Sequence, residues 1–144
     1  YVAKLVNNQL WKIRASAIGE AMVLAKKAGL EPDVWWEVMK GGAADSFVLH
    51  HDVPSIFAGH YDPSFRVELA LKDLDLIHEL INEHKTRAEL TNVAHQRFKE
   101  AKDRYGDKAG EMTVCKVIEE DANVKLQVKG NWIAPWEVKH PEEN

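Results

Sequence analysis

The chain has 144 residues, 45% of them hydrophobic and 29% charged, with a net charge of −4. That is enough for one domain with its own core, and the interleaving of Lys and Arg with Asp and Glu gives no electrostatic footing for nucleic acid. No apolar run approaches the roughly 20 residues of a membrane span, no signal-peptide pattern opens the chain, and the single Cys115 excludes an internal disulfide and fits a reducing, cytoplasmic setting.

Tyr1 enters helical periodicity at once, with no methionine and no capping residue ahead of it, so the chain is read as a fragment of a longer protein. Val2, Leu5, Val6, Ile13, Ala17, Met22, Leu24 and Ala28 recur in three- and four-residue steps, which predicts one long helix over 1–28. Gly29 suits its stop, Lys26 and Lys27 suit the negative end of its dipole, and Gly19 inside it fits either close approach of another helix or simple tolerance of a glycine there. Pro32 and Asp33 open a second helix to Lys40, stopped by Gly41-Gly42. Asp45 or Ser46 opens a short third helix through Leu49, with Ser46 better read as a cap than as a site residue. Pro54 breaks it or starts another, ending at Ala58-Gly59.

After a turn at Tyr61-Asp62-Pro63, a long helix from about Phe65 past Ile81 is expected to bury Leu69, Leu76, Ile77 and Leu80. Arg87 to Tyr105 predicts a further helix ended by Gly106, and Glu111 to Asp121 the last. Val124, Leu126 and Val128 then alternate with Lys125, Gln127 and Lys129, the period of an extended segment. Trp132, Ile133 and Trp136 are expected to anchor that tail on the helices. The fold class is therefore all-α, a helical domain over 1–122 with an extended tail over 123–144.

Lys4 and Asn8 stand four apart, on one helical face about 6 Å from one another at Cβ. Phe65 and Lys72, seven apart, are expected to share a face two turns long. His50-His51-Asp52 contains metal-ligand types, but adjacent residues diverge on a helix and no further ligands stand at a recognisable spacing, so no metal site is expected. His78 and His84 read as solvated, Cys115 as a buried thiol, and the basic run from Arg97 to Arg104, broken by Glu100 and Asp103, as a solvated face.

The stretches Tyr1-Val-Ala-Lys4-Leu-Val-Asn7-Asn8 and Pro63-Ser-Phe65-Arg-Val-Glu-Leu-Ala-Leu-Lys72-Asp73-Leu together resemble the C-terminal domain of β-hydroxyacid dehydrogenases. This is the 6-phosphogluconate dehydrogenase-like family of 3-hydroxyisobutyrate dehydrogenase and tartronate semialdehyde reductase. The likeness runs on through Ala17 to Asp33 and Gly41 to Ser46, and loosens from about Leu80 to Asp121. It implies hydride transfer between NAD or NADP and a small β-hydroxy acid. Lys4 would be the catalytic acid/base group, Asn7, Asn8, Phe65 and Asp73 would bind substrate, and Lys72 would contact the cofactor. Lysine serves in such a role when its pKa falls from about 10.4 toward neutrality, as burial or a nearby cation makes it do.

No glycine-rich dinucleotide loop occurs in these residues. The resemblance therefore implies an N-terminal Rossmann domain outside the chain as the main cofactor holder, and a fragment inactive alone. It also implies a homodimer or tetramer, consistent with a first helix apolar over a wide arc. The alternative is a helical dimerisation or scaffold module derived from such an enzyme but without catalysis of its own.

Overall fold

A computed structural model describes residues 1–133 and Glu137. Among them are seven helices: α1 (Val2–Lys27), α2 (Pro32–Met39), α3 (Phe47–His51), α4 (Val53–Ala58), α5 (Val67–His84), α6 (Glu89–Tyr105) and α7 (Thr113–Asp121). No strand forms among the described residues, and no helix is long and apolar enough to cross a membrane.

Helix α1 is the axis on which α5, α6 and α7 pack. It ends in a Schellman arrangement: Leu30 N–H donates to Ala25 O and Gly29 N–H to Lys26 O, with Gly29 at φ 94°, a left-handed conformation that glycine adopts without a Cβ penalty. Its buried stripe differs from the one the apolar periodicity suggests. Leu5, Lys12, Ala15, Gly19, Met22 and Val23 are buried, whereas Val2, Val6 and Leu24 face outward. The inner face selects small residues because α7 lies very close. A Cβ on Gly19 would stand 3.0 Å from Cys115 Sγ and 3.1 Å from Cys115 Cα, and the thiol donates to Ala15 O at 3.3 Å.

The short helices are set by their caps. Ser46 Oγ accepts from Leu49 N–H at 3.1 Å and opens α3, and Gly59 closes α4 in the left-handed conformation. Trp36 of α2 donates its indole N–H to Leu49 O at 2.7 Å, tying α2 to α3.

Between α4 and α5 the chain turns through Tyr61 and Asp62, both at positive φ, and crosses the segment that leads into α7. Arg66 and Gly110 form an isolated antiparallel bridge; Val67 N–H donates to Ala109 O at 2.8 Å and Glu111 N–H to Phe65 O at 2.9 Å. Gly110 is required here, since any Cβ would overlap the Tyr61 and Asp62 carbonyl oxygens. This crossing starts α5 at Val67, so Phe65 precedes the helix instead of belonging to it. The inner face of α5 is Val67, Ala70, Leu71, Leu74 and Ile77; Leu69, expected inside, is exposed, and Leu76 and Leu80 are only half-buried.

Beyond α7 the alternation in the tail is reproduced by its burial. Leu126 is fully buried, with its N–H donating to Glu119 Oε1 at 2.9 Å, and Val128 N–H donates to Phe57 O at 3.1 Å. Trp132 packs edge-on to Trp36 and Phe57, at ring separations of 5.7 and 4.9 Å. Ile133 is exposed, and Trp136 lies outside the described residues.

The contact at Gly19 yields a direct test. Gly19→Val should destabilise the fold by about 1–3 kcal/mol, the usual cost of overpacking a close helix contact. Denaturant unfolding measures it, and an unchanged midpoint would show that α1 and α7 separate there without penalty.

Candidate active site

Helical spacing assembles one wall of a cleft. Lys4, Asn8, Trp11 and Lys12 follow steps of four, three and one along α1 and line one side of a cavity of about 490 Å³. Leu69, Lys72, Asp73 and Leu76 of α5 line the other, and Phe65 and Glu111 join them from the crossing ahead of α5 and α7. Five of the six residues singled out from sequence, Lys4, Asn8, Phe65, Lys72 and Asp73, thus border one cavity. Phe65 arrives by the backbone pairing with Glu111 and not by sharing a helical face with Lys72. Asn7 does not line the cleft; it is exposed on α1 and donates to Asn8 Oδ1 at 3.4 Å.

Asn8 Nδ2 donates to Asp73 Oδ2 at 3.0 Å, a link between residues 65 apart in sequence that joins the two walls. The bond orients the Asn8 amide and leaves its second N–H for another acceptor. Lys4 and Lys72 are exposed at the rim.

The interior of the cleft holds what the sequence reading passed over. Lys12 is 4% exposed and its ammonium lies 3.1 Å from Glu111 Oε2. The same nitrogen lies 4.3 Å from the Trp11 ring centre and 5.0 Å from that of Phe65, within cation–π range. Asp52, Asp62 and Glu111, all buried, bring one carboxylate oxygen each within 4.8 Å of one another. Such a group has the chemistry to hold a cation, and the Lys12 ammonium already pairs with one member of it. Trp11 donates to Asp52 Oδ2 at 3.1 Å, and His51 Nδ1 lies 2.9 Å from Asp52 Oδ1. Asp62 accepts from both the backbone N–H and the hydroxyl of Ser64. The signal for Lys12 was in the sequence: it stands four residues after Asn8 and eight after Lys4, on the same face.

Other candidates separate cleanly from this site. His50 pairs with Asp45 at 2.6 Å, while His51 stacks on Phe47 and turns to Asp52, so the two adjacent histidines do not converge. His78, expected to be solvated, is half-buried, bonds Asn92 at 2.8 Å and meets His95 edge-on. Burial pushes the Cys115 thiol up to about 12, which leaves it a packing group rather than a nucleophile. In the basic run, Arg104 is fixed by a two-point contact with Asp121 of α7.

Burial also pushes the Glu111 carboxyl up to about 7; Lys12 pulls it back and the nearby Asp52 and Asp62 raise it further. Asp52 is raised too, by burial first. A carboxyl whose folded value lies above its unfolded one binds protons more tightly when folded. Its contribution to stability is complete below about 4.3, the ordinary glutamate value, and is lost as pH rises through 7. Melting temperature should therefore fall between about pH 5 and about pH 8, and Glu111→Gln should flatten that decline. An unaltered slope in the variant would assign the pH dependence to other groups.

Comparison with known proteins gives the chain its relatives. An L-threonate dehydrogenase of Cupriavidus necator is 32% identical over 95 residues, covering 66% of this chain and 32% of that protein. One from Haemophilus influenzae is 29% identical over 127 residues, covering 88% and 41%. The crystal structure of 3-hydroxyisobutyrate dehydrogenase from Salmonella typhimurium superposes with a TM-score of 0.75 at 26% identity, over 81% of this chain and 41% of that one. The Mycobacterium tuberculosis 3-hydroxyisobutyrate dehydrogenase with L-serine gives 0.75 at 25% identity, over 81% and 42%. The chain thus spans less than half the length of these relatives. A family model described as NAD-binding of NADP-dependent 3-hydroxyisobutyrate dehydrogenase matches residues 1–118, and the chain belongs to that family of β-hydroxyacid dehydrogenases.

Proposed function

We propose that this chain is the helical half of an NAD- or NADP-dependent oxidoreductase acting on a small β-hydroxy acid of the 3-hydroxyisobutyrate type, in a cytoplasmic protein. The observation that carries the reading is the meeting of Lys4 and Asn8 from α1 with Lys72, Asp73 and Phe65 at one cavity, across the Asn8–Asp73 bond. In oxidation, the Lys4 side-chain nitrogen takes the hydroxyl proton as hydride leaves the same carbon and its carbonyl forms; in reduction it returns that proton. Asn8, held by Asp73, donates its remaining N–H to a substrate oxygen without adding charge. Phe65 closes the apolar side of the cleft. Asn7, outside the cavity, takes no substrate contact in this reading.

The rim is chemically suited to a dinucleotide. Lys72 is an exposed ammonium at the cleft edge, able to meet an anionic cofactor, and Lys4 lines the same cavity. When bound, the nicotinamide supplies the hydride acceptor. Most of its binding falls to an N-terminal Rossmann domain in the same protein, so residues 1–144 alone should turn over nothing.

In the full-length protein, Lys4→Met should lower kcat by about 10²–10⁴-fold with cofactor binding largely kept. Lys72→Ala should weaken cofactor binding more than chemistry. Near-normal oxidation by the Lys4→Met enzyme would reduce this lysine to a surface residue and favour the scaffold reading.

The same proposal includes self-association as a homodimer or tetramer. Val2, Val6 and Leu10 of α1 are 54%, 43% and 52% exposed, apolar side chains along one stretch of the central helix. Sedimentation at micromolar concentration should give a species larger than the monomer, and a clean monomer would remove this part of the proposal.

A further inference from the structure

Trp11 lines the cleft one turn beyond Asn8, yet the proton transfer assigned to Lys4 gives it no task. Asn8 and Trp11 stand three apart on α1, neighbours on one helical face with about 5–6 Å between Cβ atoms. A group held by the second Asn8 N–H is therefore carried next to the indole. Leu69 and Leu76 line the opposite wall from α5, so apolar side chains border this space on both sides.

The indole is anchored. Its N–H donates to Asp52 Oδ2 at 3.1 Å, and the Lys12 ammonium lies 4.3 Å from the ring centre. Asp52 is 1% exposed, and His51 Nδ1 stands 2.9 Å from its other oxygen. The Asp52 backbone is fixed as well, at the junction of α3 and α4: its N–H donates to Val48 O, and its carbonyl accepts from the N–H and hydroxyl of Ser55. A leucine can change rotamer to admit a bulkier group. The indole cannot swing aside without leaving a buried carboxylate short of a donor, a costly loss.

We propose that Trp11 is a specificity residue that limits the size of the substituent accepted beside the oxygen held by Asn8, and that Asp52 is its positioning residue. This rests on the dehydrogenase reading above and adds to it the side chain that sets the upper size of the acid. Trp11 acts by contact alone, through the face of its ring. Asp52 touches no substrate and acts only by keeping that ring in place.

The test uses the full-length protein with NAD and with NADP, and two substrates, 3-hydroxyisobutyrate and the homologue in which an n-butyl group replaces its methyl. The wild type should favour the methyl acid by at least about 100-fold in kcat/KM, within the range that single methylenes command in an apolar pocket. Trp11→Ala should lower that ratio by at least about tenfold. The change should fall on KM for the butyl acid, since room for a substituent serves ground state and transition state alike. Asp52→Leu, which frees the ring, should shift the ratio in the same direction, while Asp52→Asn, which keeps an acceptor for the indole N–H, should hold it near the wild-type value. Where Asp52→Leu does not fold, Trp11→Phe decides the same point, because it keeps a ring and removes the anchoring N–H. A wild-type ratio near one, or Trp11 variants that lose both substrates in equal proportion, would overturn the proposal while leaving the dehydrogenase reading intact. An unchanged ratio in Asp52→Leu or Trp11→Phe would remove the positioning role of Asp52. Oxidation of neither acid with either dinucleotide would overturn the dehydrogenase reading, and the proposal with it.

Discussion

The register of α1 against α7 is the constraint from which the site follows. It is held at Gly19 by contact with Cys115, at Ala15 by the thiol hydrogen bond and at Lys12 by the ion pair to Glu111. These positions are spaced four and three apart, a single seam along the inner face of α1. Once that seam is seated, Asn8 and Lys4, one and two turns further toward the N-terminus, have no freedom to face elsewhere. They meet α5, where Asp73 takes the Asn8 amide. A slip of one residue would rotate each by about 100° and empty the wall of its polar groups.

Packing of this kind explains why so little of the buried seam was legible as hydrophobicity. The order and type of the helices followed from Gly29, Pro32, Ser46, Gly59 and Gly106, residues whose caps and turns are local properties. Which face of α1 turned inward was not local. A close helix pair chooses glycine, alanine and a paired lysine over large aliphatics, and leaves Val2 and Val6 outside. The start of α5 was misplaced for a related reason, since the bridge at Arg66 and Gly110 depends on a segment more than forty residues away. The cavity residues Lys4, Asn8, Phe65, Lys72 and Asp73 were legible through family resemblance. Trp11 and Glu111 were not, and Lys12, although its spacing puts it on the face of Lys4 and Asn8, looks solvated until its buried partner is known.

The interior of the cleft is electrostatically crowded. Three carboxylates share a small buried volume with one lysine, and Trp11 and His51 supply further hydrogen bonds to Asp52. Burial disfavours the ionised form of each acid, and the raised Glu111 and Asp52 are its result. A cluster that stays hydrogen-bonded in this way is more a device for fixing geometry than a source of net stability. It fixes Phe65 as well, since Glu111 holds Lys12 by its side chain and the Phe65 carbonyl by its backbone N–H.

The crossing at Gly110 has a consequence for descent. Lys12 and Glu111 stand 99 residues apart in the chain, and loss of either alone removes the partner of a buried ionisable group, a destabilising change. Drift at the two positions is therefore expected to be concerted, through a single-step intermediate with little stability to spare. A recombination point anywhere between α1 and α7 would separate a lysine from its acid. Exchange of halves with a relative that lacks the pair should yield chimeras that fold poorly even where every local segment is compatible, and the lineage carrying it should inherit residues 12 through 111 as one unit.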